Sequence, residues 1–138
     1  MTEPELNSIA SAQLVVGPAD LASNLLSLEP QDDFPAVFAT ARMVALMEVA
    51  SARLLRASLG SGESSVGVSV DVSHTAPTPL GALVTATARY LGREGKLFLF
   101  EVVAHDTGGE IGKGLHKRAI VSAERLESGA AKRNATAS

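Results

Sequence analysis

The stretch "MVALMEVASARLL", residues 43–55, decides the fold because its apolar side chains cover most of a helical circumference. A helix that is apolar on nearly every side is enclosed by the rest of its protein. We therefore predict a central helix over residues 41–58, ended by Gly60 and Gly62. The fold must supply other elements that surround this helix.

A short strand and a long connection precede the helix. Residues 12–17, "AQLVVG", predict the strand, and the polar, proline-containing segment 18–40 connects it to the helix. Loops of this length are usually functional in compact domains. Two interpretations remain open for the leucines of this segment: they form a short helix that packs down, or they belong to a lid or pocket wall.

Strand patterns follow the helix. From Ser64 the period changes to two, with valines at 66, 68, 70 and 72 on one face and small or polar residues on the other. Residues 83–92 and 96–106 predict a hairpin, because the loop between them, "REG", contains a glycine. A last strand is expected over residues 110–126. The pattern predicts an α+β fold in which an antiparallel β-sheet wraps around a long central α-helix.

The domain prediction follows from the same pattern. We assign residues 1–127 to a single domain, which is the default for a chain of 138 residues. Residues 128–138, "SGAAKRNATAS", are small and polar, and we expect them to form a disordered tail.

Two ionisable residues stand where apolar ones are expected. Glu48 lies in the middle of the helix, and His74 is the next residue on the valine face of the Ser64 strand. An unpaired buried ion costs several kcal/mol, so we expect both to have partners or to face a water-filled pocket. Taken singly, each has a structural explanation: His74 as a satisfied core histidine, and Glu48 as a residue of a wet dimer groove. Together they suggest a functional site.

Thr40 stands just before the predicted helix. Its hydroxyl is suited to an N-cap, which alone would explain it. The alternative is functional, because the free N–H groups and positive dipole end of a helix N-terminus stabilise an oxyanion while the hydroxyl positions a carbonyl or a water. Residue 43 is methionine, so no capping box favours the structural explanation.

The tripeptide "HKR", residues 116–118, concentrates positive charge late in the last predicted strand. Alternation places His116 and Arg118 on one face and Lys117 on the other. A solvated face is the ordinary interpretation of such a cluster, and an anion contact is the alternative.

Composition excludes several functional classes. The formal net charge of −3 and the aromatic content of 4% speak against a nucleic-acid partner. The absence of cysteine excludes disulfides, thiolate metal sites and a cysteine nucleophile. No apolar run approaches the ~18 residues that span a bilayer, and the acidic start "MTEPELNSIA" lacks the features of a secretory signal. We expect a cytoplasmic protein that does not associate with membranes.

Three segments together resemble a known family: "FPAVFATARMVALMEVASARLL", "SSVGVSVDVSHTAPTPLG" and "AHDTGGEIGKGLHKRAIV". They resemble the fluoroacetyl-CoA thioesterase-like branch of the hotdog superfamily, and the resemblance covers residues 34–125. It implies a hotdog fold, acyl-CoA thioesterase activity, a homodimer and no metal or redox cofactor.

The resemblance also implies roles for individual residues. Thr40, Glu48 and His74 occupy the positions of the family's catalytic group. Gly67 falls where the family keeps a glycine close to the acyl group, and Arg118 where it keeps an arginine near the site.

The segment before the helix departs from the family pattern. The fluoro-selective enzyme lines its pocket with aromatic lid residues, whereas this chain offers Phe34 and Phe38 and otherwise reads "LEPQDD". We therefore count Phe34 among the substrate-binding candidates but do not extend fluoroacetyl selectivity to this chain.

The chemistry of thioester hydrolysis assigns tasks to these side chains. Glu48 would act as general base or as nucleophile, and the sequence does not separate the two. His74 would orient Glu48 or the water, and Thr40 with the helix N-terminus would hold the carbonyl. Two alternatives stay open: a hotdog hydratase or dehydratase, which also pairs histidine with a carboxylate, and a non-catalytic acyl-binding module.

Overall fold

The computed structural model of the protein describes residues 2–135. The elements, in chain order, are β1 (Ile9–Val15), α1 (Thr40–Leu55), β2 (Glu63–His74), β3 (Leu83–Glu94), β4 (Leu97–Asp106), β5 (Gly109–Ser122) and α2 (Ala123–Ala135). The five strands form one antiparallel sheet in the order β1-β3-β4-β5-β2, and β1 and β2 are its edges. The sheet curls around α1, which confirms the predicted α+β architecture.

The core lies between α1 and the concave face of the sheet. Met43, Met47 and Ala50 of the helix are buried against alternate residues of the central strands. On β3 and β4 these are Val84, Ala86, Ala88, Tyr90, Phe98, Phe100, Val102 and Ala104. Alanines at several of these positions let the helix approach the sheet closely, because they leave little side-chain volume between the two backbones.

Strand β2 differs from its predicted pattern at one point. A bulge interrupts its pairing with β5: Gly67 is opposite Arg118, Ser69 is opposite Lys117, and Val68 is the extra residue. A single extra residue reverses the alternation of faces. The predicted common face of the four valines is therefore wrong. Val70 and Val72 lie on the helix side with His74, whereas Gly67 takes that side before the bulge.

The helix is less enclosed than expected. Val49 of α1 is 45% exposed, and on the neighbouring edge strand Val68 and Val70 are 52% and 44% exposed. These residues lie on the side of the molecule where β2 has no neighbouring strand. The sheet of a single chain thus leaves one flank of α1 open.

The connection between β1 and α1 is held to the rest of the protein near both of its ends, whereas its middle is exposed. Leu21 and Phe38 are buried and form an isolated β-bridge. Asp20 accepts hydrogen bonds from the Gly17 backbone N–H at 2.8 Å and from Arg42 of α1 at 2.8 Å. The three leucines at 25, 26 and 28 are exposed at 41–79%. The sequence left two interpretations open for the leucines of this segment. Leu25, Leu26 and Leu28 are exposed, as expected for a pocket wall, whereas Leu21 packs into the core.

The end of the chain differs from the sequence-based expectation. Residues 123–135 form α2, so the tail expected to be disordered from residue 128 is helical as far as Ala135, and residues 136–138 lie outside the described part. The helix buries no side chain, but Glu124 in its first turn and Lys132 and Arg133 in its last turn complement the helix dipole. The last strand accordingly ends at Ser122 instead of residue 126. Within residues 2–135 neither helix is long and apolar enough to cross a membrane.

Candidate active site

Thr40 and His74 form one hydrogen-bonded pair. Thr40 is the first residue of α1 and His74 the last residue of β2, and the Thr40 Oγ1 lies 2.7 Å from the His74 Nδ1. Of the two explanations that the sequence left open for Thr40, the N-cap does not describe it, because Ala39 occupies that position and no side chain caps the helix. The Thr40 hydroxyl is instead directed at the imidazole ring.

The other ring nitrogen of this histidine is unsatisfied. His74 Nε2 is buried and has no hydrogen-bond partner within residues 2–135. A buried polar atom without a partner is unusual in a folded protein. With Nδ1 engaged by Thr40, Nε2 is the ring nitrogen that has no partner among the described residues.

Two cavities meet at Thr40. The larger, of about 400 Å³, is lined mainly by apolar side chains, among them Leu25, Leu26, Leu28 and Phe34. The smaller, of about 300 Å³, includes His74. Phe34 is 51% exposed at the larger cavity, whereas Phe38 is buried and its backbone N–H donates to the Thr78 carbonyl. Of the two phenylalanines, only Phe34 therefore stands in the wall of the larger cavity.

Glu48 has an arginine partner. The Arg118 Nη1 donates to the Glu48 Oε2 at 2.8 Å, and the two side chains are 8% and 38% exposed respectively. Sequence reasoning expected Glu48 to be buried. In the single chain it is only partly so, because it lies beside the open β2 edge.

Gly67 lies directly over the carboxylate of Glu48. A Cβ built on Gly67 would collide with the Glu48 Oε2 and would lie 3.3 Å from the His116 Cε1. The absence of a side chain at this position is what gives the carboxylate its space. The β2 bulge is responsible, because without it Gly67 would face the other side of the sheet.

His116 is the residue that sequence reasoning missed. It is 1% exposed, and its Nδ1 lies 2.9 Å from the Ser69 carbonyl and its Nε2 3.2 Å from the Arg118 Nη1. Burial lowers its pKa from the ordinary value, and Arg118 lowers it further, while the hydrogen bond to Ser69 and the nearby Glu48 act in the opposite direction. The alternation of "HKR" placed His116 beside Arg118, but the pattern did not distinguish a buried face from a solvated one.

The five candidates other than Phe34 thus fall into two groups. Thr40 and His74 form the first, and Glu48, Gly67 and Arg118 form the second. Thr40 and Glu48 are eight residues apart in one helix, which corresponds to a rise of about 12 Å. No hydrogen bond or ion pair links the two groups within the described residues.

Comparison with known proteins identifies the family. The model of the family described as fluoroacetyl-CoA-specific thioesterase matches residues 18–124. The chain belongs to the fluoroacetyl-CoA-specific thioesterase family. The match includes every candidate residue of both groups, and family membership makes the protein a thioester hydrolase, in agreement with the sequence resemblance.

Relatives of this thioesterase family agree in sequence and in structure. The fluoroacetyl-CoA thioesterase of Streptantibioticus cattleyicolor is 42% identical over 113 residues, which cover 81% of each chain. A solved structure of the fluoroacetyl-CoA thioesterase FlK superimposes with a TM-score of 0.88 at 37% identity, over 93% of this chain and 96% of that one. A Thermus thermophilus protein described as a thioesterase superfamily member gives 0.84 at 26% identity, over 97% and 96% of the two chains. The fold is therefore that of the hotdog thioesterases.

Proposed function

We propose that this thioesterase hydrolyses a small acyl-CoA to the free acid and CoA, with Thr40, Glu48 and His74 as its catalytic residues. The observation that carries the proposal is the hydrogen bond between Thr40 and His74 at the junction of two cavities, one of them largely apolar. In a member of a thioesterase family, this is where a thioester can lie with its carbonyl against polar groups and its acyl chain against apolar ones.

Thr40 and the start of α1 would hold the thioester carbonyl. The first N–H groups of a helix have no intrahelical partners, and the dipole favours negative charge there. The Thr40 hydroxyl, already fixed by His74, adds a donor or acceptor at the same place. As the tetrahedral intermediate forms, charge develops on the carbonyl oxygen, and preorganised donors stabilise it.

Glu48 would act as general base on a water or attack the carbonyl directly. Arg118 keeps the carboxylate at one position, and Gly67 leaves it free of steric contact on the sheet side. His74 would supply the proton for the departing thiolate through its Nε2, the atom without a protein partner. Arg118 and Gly67 then line the acyl end of the site.

The separation of the two groups supports a homodimer as the active form. An edge strand with exposed valines is a surface that a second copy can cover. Glu48 lies beside that edge, so the partner of a two-fold dimer would bring its own residues close to the carboxylate. We propose that each site draws on both chains, and that the protein is cytoplasmic.

The likeness to the fluoroacetyl-CoA thioesterase supports a small acyl group as substrate. In structures of the fluoroacetyl-CoA thioesterase, variants were made at a phenylalanine and at a threonine six residues apart, and one of them was studied with fluoroacetate and CoA. This chain has Phe34 and Thr40 at the same separation. We propose that Phe34 covers the acyl group.

A panel of acyl-CoA thioesters, with free thiol measured as product, tests the proposal. It should include acetyl-, fluoroacetyl-, propionyl-, butyryl- and longer acyl-CoA. We expect the highest kcat/KM among the small acyl groups and a loss as chain length grows. Tight binding without thiol release across the panel would overturn the assignment.

A further inference from the structure

The buried histidine to which the proposed mechanism gives no task, His116, touches the arginine that holds Glu48. Its ring lies under the β2 bulge and beside Phe100 of β4, with ring centroids 6.4 Å apart. Polar contacts engage both ring nitrogens: Nδ1 with the Ser69 carbonyl and Nε2 with the Arg118 Nη1. Such a fully engaged imidazole is held in one orientation.

The partners of the ring fix its tautomer. A guanidinium group has only donors, so the His116 Nε2 must accept and carries no proton. The Ser69 carbonyl has only lone pairs, so the His116 Nδ1 must carry the proton and donate it. His116 is therefore the neutral Nδ1–H form.

The guanidinium of Arg118 is held on two sides. Ser65 of β2 accepts from Nε at 3.0 Å through its hydroxyl and from Nη2 at 2.9 Å through its carbonyl. Nη1 has two hydrogens, and His116 and Glu48 are their two acceptors. His116 thus determines the direction in which the second Nη1 hydrogen points, which is toward the carboxylate.

We propose that His116 is a positioning residue of the thioesterase, which as a neutral acceptor orients Arg118 and through it Glu48. The inference rests on the proposed function, in which Glu48 attacks or activates water. It assigns to His116 no contact with substrate.

Protonation of His116 would remove this arrangement. The imidazolium has no acceptor for Arg118 and places a second positive charge against the guanidinium. The charged groups that face the ring are Arg118 from β5 and Glu48 from α1, whereas β2 contributes Ser65 and Ser69 and β4 contributes an uncharged ring. Burial and Arg118 hold the pKa of His116 below 6.5, so the neutral form is present at pH 7.

Two conservative variants separate the two bonds of the ring. The amide of glutamine reaches the place of Nε2, so His116→Gln keeps an acceptor for Arg118 and loses the bond to Ser69. The shorter amide of asparagine reaches the place of Nδ1, so His116→Asn keeps the bond to Ser69 and loses the acceptor. His105→Gln, at an exposed position of β4, is the control for the loss of a histidine.

Kinetics and NMR together decide the proposal. We expect kcat of His116→Gln within about threefold of wild type and a drop of tenfold or more in His116→Asn. The acid limb of kcat/KM should move to lower pH in both variants, because neither amide takes up the proton that His116 does. Equal losses in both variants, in step with equal losses of melting temperature, would show a purely structural role.

Nitrogen-15 spectra of the histidine rings test the tautomer without any assay. We expect His116 as Nδ1–H at pH 7, and an Arg118 Nη1–H resonance that persists in His116→Gln and broadens in His116→Asn. An Nε2–H tautomer, or an Arg118 resonance that is indifferent to both variants, would overturn the inference. If these spectra are as expected but wild type releases no thiol from any acyl-CoA, the proposed function fails and the coupling of His116 to Arg118 stands.

Discussion

The Thr40 Oγ1 lies 2.7 Å from the His74 Nδ1, which ties the first residue of α1 to the last residue of β2. The contact joins a helix N-terminus, with its free N–H groups, to an imidazole whose other nitrogen is unsatisfied. A mutation on either side of this bond should therefore affect catalysis before it affects folding.

Thr40→Val removes the hydroxyl at nearly constant volume, so kcat should fall about tenfold or more. The melting temperature should change little, because one hydrogen bond contributes only ~0.5–1.5 kcal/mol to stability. Thr40→Ser keeps the hydroxyl and should retain most of the activity. His74→Ala should lower kcat more than Thr40→Val, by ~10² or more, because the proton donor is lost. A large loss of melting temperature in His74→Ala with normal specific activity would instead identify a core histidine.

Glu48→Gln should reduce hydrolysis by ~10² or more, because the amide neither removes a proton from water nor attacks the carbonyl. The matched control is Glu101→Gln. It breaks the ion pair between Glu101 and Arg89. The 3.0 Å distance of that pair and the 44% exposure of the Glu101 side chain are similar to the values for the Glu48–Arg118 pair and the Glu48 side chain. The control should keep full activity. A Glu48→Gln protein within about twofold of wild type would refute the catalytic assignment.

Gly67→Ala should lower activity without unfolding the protein. The new methyl group would meet the Glu48 Oε2, the end of a flexible side chain, so the carboxylate moves and the fold does not. Gly114→Ala provides the contrast, because its methyl group would collide with the Asp71 carbonyl in the backbone of β2. Thermal unfolding and kcat of the two variants, measured side by side, should separate them: activity falls in the first and stability in the second. Loss of stability in both would mean that Gly67 is needed only for packing.

Asp20→Asn should destabilise the protein in a pH-dependent way. The hydrogen bond from the Gly17 N–H lowers the pKa of Asp20 below its usual 3.8, and Arg42 lowers it further. A lowered pKa means stability that is present above the unfolded-state value and lost as the pH falls through the folded-state value. We expect a loss of about 2 kcal/mol at pH 7 from hydrogen bonds to a charged group. Melting temperatures of wild type and variant should converge below about pH 4. A constant difference down to pH 2 would contradict the assignment.

Subunit exchange tests whether sites are shared between chains. Glu48→Gln and Thr40→Ala proteins are each expected to have strongly reduced activity, but a heterodimer of the two would contain one intact site if each site takes these residues from different chains. Mixing under exchange conditions should then restore part of the activity. Mixing each variant with itself is the control. A fully active monomer in sedimentation at assay concentration would contradict the shared site.

The sequence by itself determined most of the elements and the inward direction of His74, but it did not show α2 and it overestimated the burial of Glu48. Helix and strand periods are local properties, so the pattern located α1, the hairpin of β3 and β4, and the long β5 to within a few residues. His74 faces the helix as predicted, since it lies on the same side of the bulge as Val70 and Val72. The residues that carry the family resemblance also stand in the two groups found in the structure.

Only the tertiary structure decided which of these groups meet. The β2 bulge turns Gly67 toward Glu48, and no local pattern in "SSVGVSV" shows where an extra residue is inserted, because a bulge depends on pairing with β5. Likewise, the sequence alone is compatible with a solvated face at His116 and Arg118, and only the packing of β2 and α1 against them shows that both are buried. The burial of His116 and Arg118 arises from contacts between residues that are distant in sequence. The pairing of Thr40 with His74 and the separation of Glu48 from His74 have the same origin. Such contacts are fixed only when the helix and the strands pack together.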